Sequence, residues 1–60
     1  MIVHLTEKAR KSFINDLRKN NIKHTFLNGF TTIEVEDTPK ARMAIRMVKE
    51  RFINGIKVGS

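Results

Sequence analysis

The chain of 60 residues lacks cysteine, tryptophan and tyrosine, and it contains one proline and three glycines. Without cysteine it forms neither disulfides nor thiolate metal sites, which excludes the disulfide-rich secreted folds and favours a reducing, cytoplasmic compartment. No apolar run approaches the ~20 residues that span a bilayer. We expect residues 1–60 to form a single small domain. Because a chain of this length buries only about 60% of its unfolded surface, helix packing or a second copy must add stability.

The chain is strongly basic. The 12 Lys and Arg residues outnumber the 6 Asp and Glu residues, which gives a formal net charge of +6 and a pI near 10.4. Such a field attracts polyanions, so nucleic acid is the first partner to consider and an acidic protein surface is the second. We expect no membrane partner, because neither predicted helix sets a large aromatic or Leu-rich face against its basic face.

The first helix is predicted over residues 7–19, with Thr6 as its N-cap and with Asn20 or Asn21 in the left-handed conformation that ends it. At ~100° per residue, its apolar and basic residues fall on opposite sides. The apolar arc contains Ala9, Phe13 and Leu17, and the basic side contains Lys8, Lys11, Arg18 and Lys19. This segment is therefore an amphipathic helix whose outer face is basic.

The second helix is predicted to start after Thr38, with Pro39 at its first position, and to run to about Ile53. Its core arc contains Ala41, Ala44, Ile45, Val48 and Phe52, one flank contains Arg42, Arg46 and Lys49, and the outer face contains Met43 and Met47. The following Asn-Gly predicts a helix C-cap with Gly55 in the left-handed conformation.

A β-hairpin is predicted over residues 22–36, because Asn28-Gly29 is typical of a two-residue type I′ turn. That loop would place Phe26 opposite Thr31, and it would pair Lys23 with Glu34. Alternation then assigns side chains to two faces. The core face would hold Ile22, His24, Phe26, Thr31, Ile33 and Val35, and the solvent face Lys23, Thr25, Leu27, Phe30, Thr32 and Glu34.

These elements predict an α+β domain with the order β-α-β-β-α. Residues 1–5 are the first strand, and residues 56–58 are an optional short fourth strand. A right-handed β-α-β crossover favours a ferredoxin-like two-layer sandwich, in which both helices cover one face of an antiparallel sheet.

The segment "NGFTTIEV" is similar to a strand signature of the RNA recognition motif, with matches that include Gly29, Phe30 and Ile33. It differs from that signature at Asn28, where the motif has a basic residue, and at Thr32, where it has an aromatic residue. The likeness covers eight residues, so we take from it one feature only. Phe30 is a candidate platform on which a base stacks.

Catalysis and metal binding are not expected. His4 and His24 are isolated from each other and from carboxylates at a ligand spacing, so His24 is interpreted as a hydrogen-bonded core or sheet-edge residue. The acidic residues Glu34, Glu36 and Asp37 are interpreted as surface charge and helix capping. The chain has no glycine-rich phosphate loop and is too short to enclose a pocket, so we predict a non-enzymatic protein without a cofactor.

The sequence therefore predicts a cytoplasmic binding module for nucleic acid, with DNA and RNA both open. The alternative is a regulatory or inhibitory module, homodimeric or docked on an acidic partner protein. The nucleic-acid candidates are Lys8, Lys11, Arg18, Lys19, Lys23, Phe30, Arg42, Arg46 and Lys49, and the protein-interaction candidates are Leu27, Phe30, Met43 and Met47.

Overall fold

A computed structural model of the protein describes residues 1–27, 29 and 31–59. Its elements in chain order are β1 (Ile2–Leu5), α1 (Glu7–Lys19), β2 (His24–Phe26), β3 (Thr32–Val35), α2 (Pro39–Arg51) and β4 (Ile56–Gly59). The strands form one sheet in the spatial order β2-β3-β1-β4, and each neighbouring pair is antiparallel. The predicted α+β class is confirmed, and the optional fourth strand is present as β4. Neither helix of the described residues has the length and apolar character needed to cross a membrane.

Helix α1 has the predicted bounds because its two ends are specified locally. The side-chain oxygen of Thr6 accepts a hydrogen bond from the backbone N–H of Ala9 at 3.4 Å, which satisfies one of the free donors of the first turn. At the other end, the Asn20 N–H donates to the carbonyl of Asp16, and Asn21 has a φ of 52°. Asn21 is thus the left-handed residue that ends the helix.

Helix α2 starts as predicted and ends two residues early. The Thr38 hydroxyl accepts from the N–H of Ala41 at 3.1 Å. The helix stops at Arg51 because Phe52 is extended, with φ −127° and ψ 99°. The left-handed residue of this end is Asn54, with a φ of 60°, so the prediction that Gly55 takes that conformation was wrong.

Gly55 is required for space instead. A Cβ atom built there would lie 2.6 Å from the Cβ of Phe52 and 3.0 Å from the Cβ of Ala9. The close approach of the α2–β4 connection to α1 therefore needs a residue without a side chain. The tighter of these contacts is with Phe52, three residues earlier in the chain, and the contact with Ala9 of α1 adds to it.

The core lies between the two helices and one face of the sheet. Its buried residues are Val3, Leu5, Ala9, Phe13, Leu17, Ile22, Ile33, Val35, Ala41, Ala44, Ile45, Val48 and Ile56, with Met1, Ile14 and Phe52 packed against them. All the core positions predicted on α1 and all but Phe52 on α2 are buried. Because both helices cover the same face, their outer surfaces point to the same side of the molecule.

The hairpin forms with a register that differs by two residues from the prediction. Phe26 lies opposite Ile33 and not opposite Thr31, and the N–H of Leu27 donates to the carbonyl of Thr32 at 2.9 Å. The register predicted from the Asn28-Gly29 turn was therefore wrong, whereas Asn28 of that turn lies outside the described residues. A shift of two keeps every side chain on its predicted face, which is why the alternation of polar and apolar residues cannot detect it.

The new register also changes the predicted contacts across the hairpin. Glu34 lies opposite Thr25, and the Glu36 N–H donates to the Lys23 carbonyl at 3.3 Å, so the predicted Lys23–Glu34 pair was wrong. Phe26 was predicted to be in the core but is 43% exposed, because β2 is an edge strand with the sheet on one side only. Thr31, also assigned to the core face, lies before β3 and is exposed.

The open face of the sheet carries charges of both signs. Side chains at alternate positions of a strand point to opposite faces, so the neighbours of the buried Val3 face away from the helices. Ile2 lies between Glu34 and Gly59, and His4 lies between Thr32 and Lys57. This face therefore combines short polar side chains with isolated charges.

Candidate nucleic-acid interface

Positive charge is concentrated on the helical layer. Helices α1 and α2 hold ten of the twelve Lys and Arg residues but three of the six acidic residues, which gives them a formal charge of +7. The rest of the chain holds two Lys residues and three acidic residues, a formal charge of −1. Since the inner sides of both helices are in the core, these cations are on the outer surface of one layer.

The outer face of α1 is the part of this layer where cations are least neutralised. It comprises Lys8, Lys11, Arg18 and Lys19, all of which are exposed. The buried side chains of Ala9, Phe13 and Leu17 anchor the opposite side of the helix and so turn these cations outward. None of the four forms an ion pair with a residue of the described segments. At ~1.5 Å per residue, they span about 16 Å along the helix axis.

A shallow depression lies on this same face. It is lined by Lys11, Ser12, Ile14, Asn15 and Arg18. Two cations beside a short hydroxyl and an amide form a surface of hydrogen-bond donors with no carboxylate among the lining residues. Such a surface binds phosphate oxygens by charge-assisted hydrogen bonds.

The cations of α2 are partly neutralised by their own neighbours. The Nε and Nη2 atoms of Arg42 donate to the two carboxylate oxygens of Asp37 at 2.7 and 3.1 Å. These hydrogen bonds lower the pKa of Asp37 below its ordinary value and raise the pKa of Arg42. Arg46 pairs more loosely with Glu50 at 3.9 Å, whereas Lys49 is exposed. A phosphate must therefore compete with a carboxylate for Arg42.

One cation links the two helices. Arg51 lies 4.0 Å from a carboxylate oxygen of Asp16, and its Nη1 donates to the hydroxyl of Ser12 at 3.2 Å. The end of α2 is thus beside the middle of α1, whereas Lys40 at its start lines a groove with Asn20 at the end of α1, so the helices run antiparallel. Sequence patterns gave no signal for this link, because its residues are far apart in the chain.

A more apolar groove lies between the helices. It is lined by Asp16, Asn20, Lys40, Met43, Ala44 and Met47. Met43 is 68% exposed and Met47 is 43% exposed, as their predicted outer position requires. The two methionines lie on adjacent turns of one helix, so they form one contact surface and not two isolated side chains.

The remaining candidates do not join either group. Lys23 lines a second shallow depression at the end of the sheet, together with Glu34 and Glu36. It is therefore separate from the α1 cations, which are on the helical layer. Leu27 is exposed at the end of β2, away from the helices that carry Met43 and Met47. Phe30 lies outside the described residues, and the interpretation of its ring as a stacking platform therefore stays a prediction.

Neither histidine is part of a group of metal-binding side chains within the described segments. The Nδ1 atom of His24 is 2.8 Å from the carbonyl oxygen of Ile22, and its ring makes an edge contact with Phe26 at 5.6 Å. His4 is 3.3 Å from the Thr32 hydroxyl on the open sheet face. No group of three or more His, Asp or Glu residues with a metal-binding arrangement occurs in the described part of the chain.

Comparison with known proteins identifies no relative. No family model matches the sequence, no curated protein matches it, and no solved structure matches the fold at a significant level.

Proposed function

We propose that the protein is a cytoplasmic, non-enzymatic binding module for nucleic acid, which it contacts through the outer face of α1. The observation that carries this proposal is the segregation of charge, with +7 on the helices and −1 on the rest of the chain. Lys8, Lys11, Arg18 and Lys19 bind phosphates, and Lys49 extends the surface onto α2. Arg42 and Arg46 contribute only where a phosphate displaces their carboxylate partners.

Binding through such a surface is mainly electrostatic. Each cation that neutralises a phosphate releases condensed counterions, so log K falls with log salt by about 0.9 per phosphate on duplex DNA. Four contacts from α1 give a slope of about −3.6 by the same relation. Phosphate contacts fix the position of a protein on the nucleic acid and carry no sequence information. Binding is therefore expected to be tight at low salt and weak at high salt.

The direct test is binding to labelled DNA and RNA oligonucleotides at rising salt concentration. Substituting Lys11→Glu together with Arg18→Glu should reduce the slope by about 1.8, because two phosphate contacts are lost. The matched control is Lys23→Glu together with Lys57→Glu, which removes the same charge from the sheet side and should leave the slope nearly unchanged. Absence of binding by the wild-type protein at low salt contradicts the proposal, and equal losses in both variants contradict its assignment to α1.

We also propose a ferredoxin-like arrangement for the sheet and the two helices. The strand order β2-β3-β1-β4 places each helix between two strands that have another strand between them. Together with two helices on one sheet face, this order supports the ferredoxin-like arrangement that the sequence predicts. The arrangement matters for function because it leaves the whole outer surface of both helices accessible to one extended ligand.

The interhelical groove favours a second candidate function. Two adjacent exposed methionines beside Lys40 form an apolar surface with a basic margin, which fits an acidic partner protein or a second copy of the chain. Leu27 and Phe30 remain candidates for the same role. Sedimentation at increasing protein concentration tests self-association, and Met43→Glu should abolish it. A protein that stays monomeric and binds oligonucleotides favours the first function.

A further inference from the structure

The basic helical surface lacks the feature that single-stranded nucleic acids need. Proteins that hold single strands combine a basic groove with exposed aromatic rings, and each stacked base contributes about 1–3 kcal/mol. Of the described phenylalanines, Phe13 is fully buried, Phe52 is packed on the core, and Phe26 is on the edge strand β2. Tyrosine and tryptophan do not occur in the chain. The outer face of α1 therefore has no aromatic ring on which a base could stack.

The same surface is also poorly shaped for reading base edges. An α-helix with its side chains is about 10 Å wide, so two helices packed side by side present a front of about 20 Å. The major groove of B-DNA is about 12 Å wide. Because α1 and α2 pack side by side over one buried core, α1 does not project as an isolated recognition helix that could enter the groove. Its cations reach the phosphates at the groove margins.

A duplex supplies what this surface can use. Double-stranded DNA has one charge per ~1.7 Å of axis, twice the linear density of one strand. Its phosphates are already ordered, whereas a flexible strand must lose conformational freedom without gaining stacking. Over the ~16 Å of the α1 cations, a duplex carries about nine charges, and one strand at the same spacing carries about half as many.

We propose that the nucleic acid bound by the outer face of α1 is double-stranded and is bound through its phosphate backbone without regard to sequence. This inference rests on the proposed function and narrows its ligand. Both DNA and RNA duplexes carry the required phosphate chemistry, so the structure assigns the duplex form and leaves the sugar to the experiment.

The test compares labelled 20-mers by fluorescence anisotropy at low and moderate salt. The arms are one single strand, its duplex, a duplex of unrelated sequence, and an RNA duplex. We expect the duplexes to bind at least about fivefold more tightly than the single strand, since the latter gains no stacking. We also expect two unrelated DNA duplexes to agree within about twofold.

The outcomes separate this inference from the function on which it rests. Equal or tighter binding of the single strand overturns the duplex assignment and leaves nucleic-acid binding standing. A tenfold preference between the two DNA duplexes overturns sequence-independent recognition. Binding to none of the four overturns both proposals. A preference for either the DNA or the RNA duplex over the single strand supports the inference and identifies the sugar.

Discussion

The helical layer and the open face of the sheet are two surfaces of one small domain, and they differ sharply in charge. The helices have a formal charge of +7, whereas the remainder of the chain has −1. On the open sheet face, Glu34 and Lys57 are separated by Ile2, His4 and short polar residues. The net charge of +6 therefore understates how basic one side of the molecule is, and it says nothing about the other side.

A second contrast lies within the helical layer. The cations on the outer face of α1 make no ion pairs with described residues, whereas Arg42 and Arg46 of α2 have carboxylate partners. Each helix has five Lys and Arg residues, and with two acidic residues in α1 and one in α2 the formal charges are +3 and +4, so composition alone would slightly favour α2. The difference comes from where Asp37 and Glu50 are placed. A polyanion is thus expected to prefer α1, although the two helices have equal numbers of cations.

The largest expected effect follows from removing the side chain that seats α1 on the sheet. Phe13 is fully buried, so Phe13→Ala should cost about 3–5 kcal/mol. A 60-residue domain has a total stability of roughly 3–9 kcal/mol. The variant should therefore lose a large part of the total free energy of unfolding, which urea titration by circular dichroism measures. The control is Phe26→Ala on the half-exposed edge strand, with an expected cost of about 1 kcal/mol. Similar costs for both would mean that α1 is not seated as described.

The next effect tests the space around Gly55, which is limited by Phe52 and by Ala9 of α1. Gly55→Ala places a methyl group 2.6 Å from the Cβ of Phe52, so the backbone must shift at a cost of about 1–3 kcal/mol. Gly29→Ala is the control, because its added Cβ meets nothing within 4 Å and its cost, about 1 kcal/mol, comes only from the positive φ of 66°. Thermal unfolding of both variants compares the two causes. A neutral Gly55→Ala would show that the layers are further apart there.

The sequence predicts the features that local residues determine, and it does not predict those that distant residues determine. Helix caps and helical periodicity are local features. Thr6 and Thr38 correctly predicted where both helices start, and the periodicity correctly predicted which faces are buried. The hairpin register depends on residues distant in the chain, and the space around Gly55 is limited by one near residue, Phe52, and one distant residue, Ala9. The same holds for the site: the basic face of α1 follows from periodicity, whereas the link between Arg51 and Asp16 does not.

A smaller effect should come from releasing a cation of α2. Asp37→Asn removes the partner of Arg42 without a change in size, so Arg42 becomes available to a phosphate. If the nucleic acid extends onto α2, the salt slope of binding should steepen by up to about 0.9. Glu34→Gln is the matched control, because it removes one negative charge from the open sheet face. An equal change in slope for both would mean that net charge alone governs binding, and the contrast between the two layers would lose its functional meaning.

The smallest expected effect concerns the titration of Asp37 itself. The hydrogen bonds from Arg42 lower the pKa of Asp37 in the folded protein. A carboxylate with a lowered folded pKa contributes stability that is fully present above its unfolded pKa of about 3.9, and that contribution is lost as the pH falls through the lowered value. Arg42→Gln should return the Asp37 pKa toward its ordinary value, as measured by NMR titration of the carboxyl carbon. Arg46→Gln is the control and should leave it unchanged. If Asp37 titrates normally in the wild-type protein, Arg42 is not held by it and is as available to a polyanion as the cations of α1.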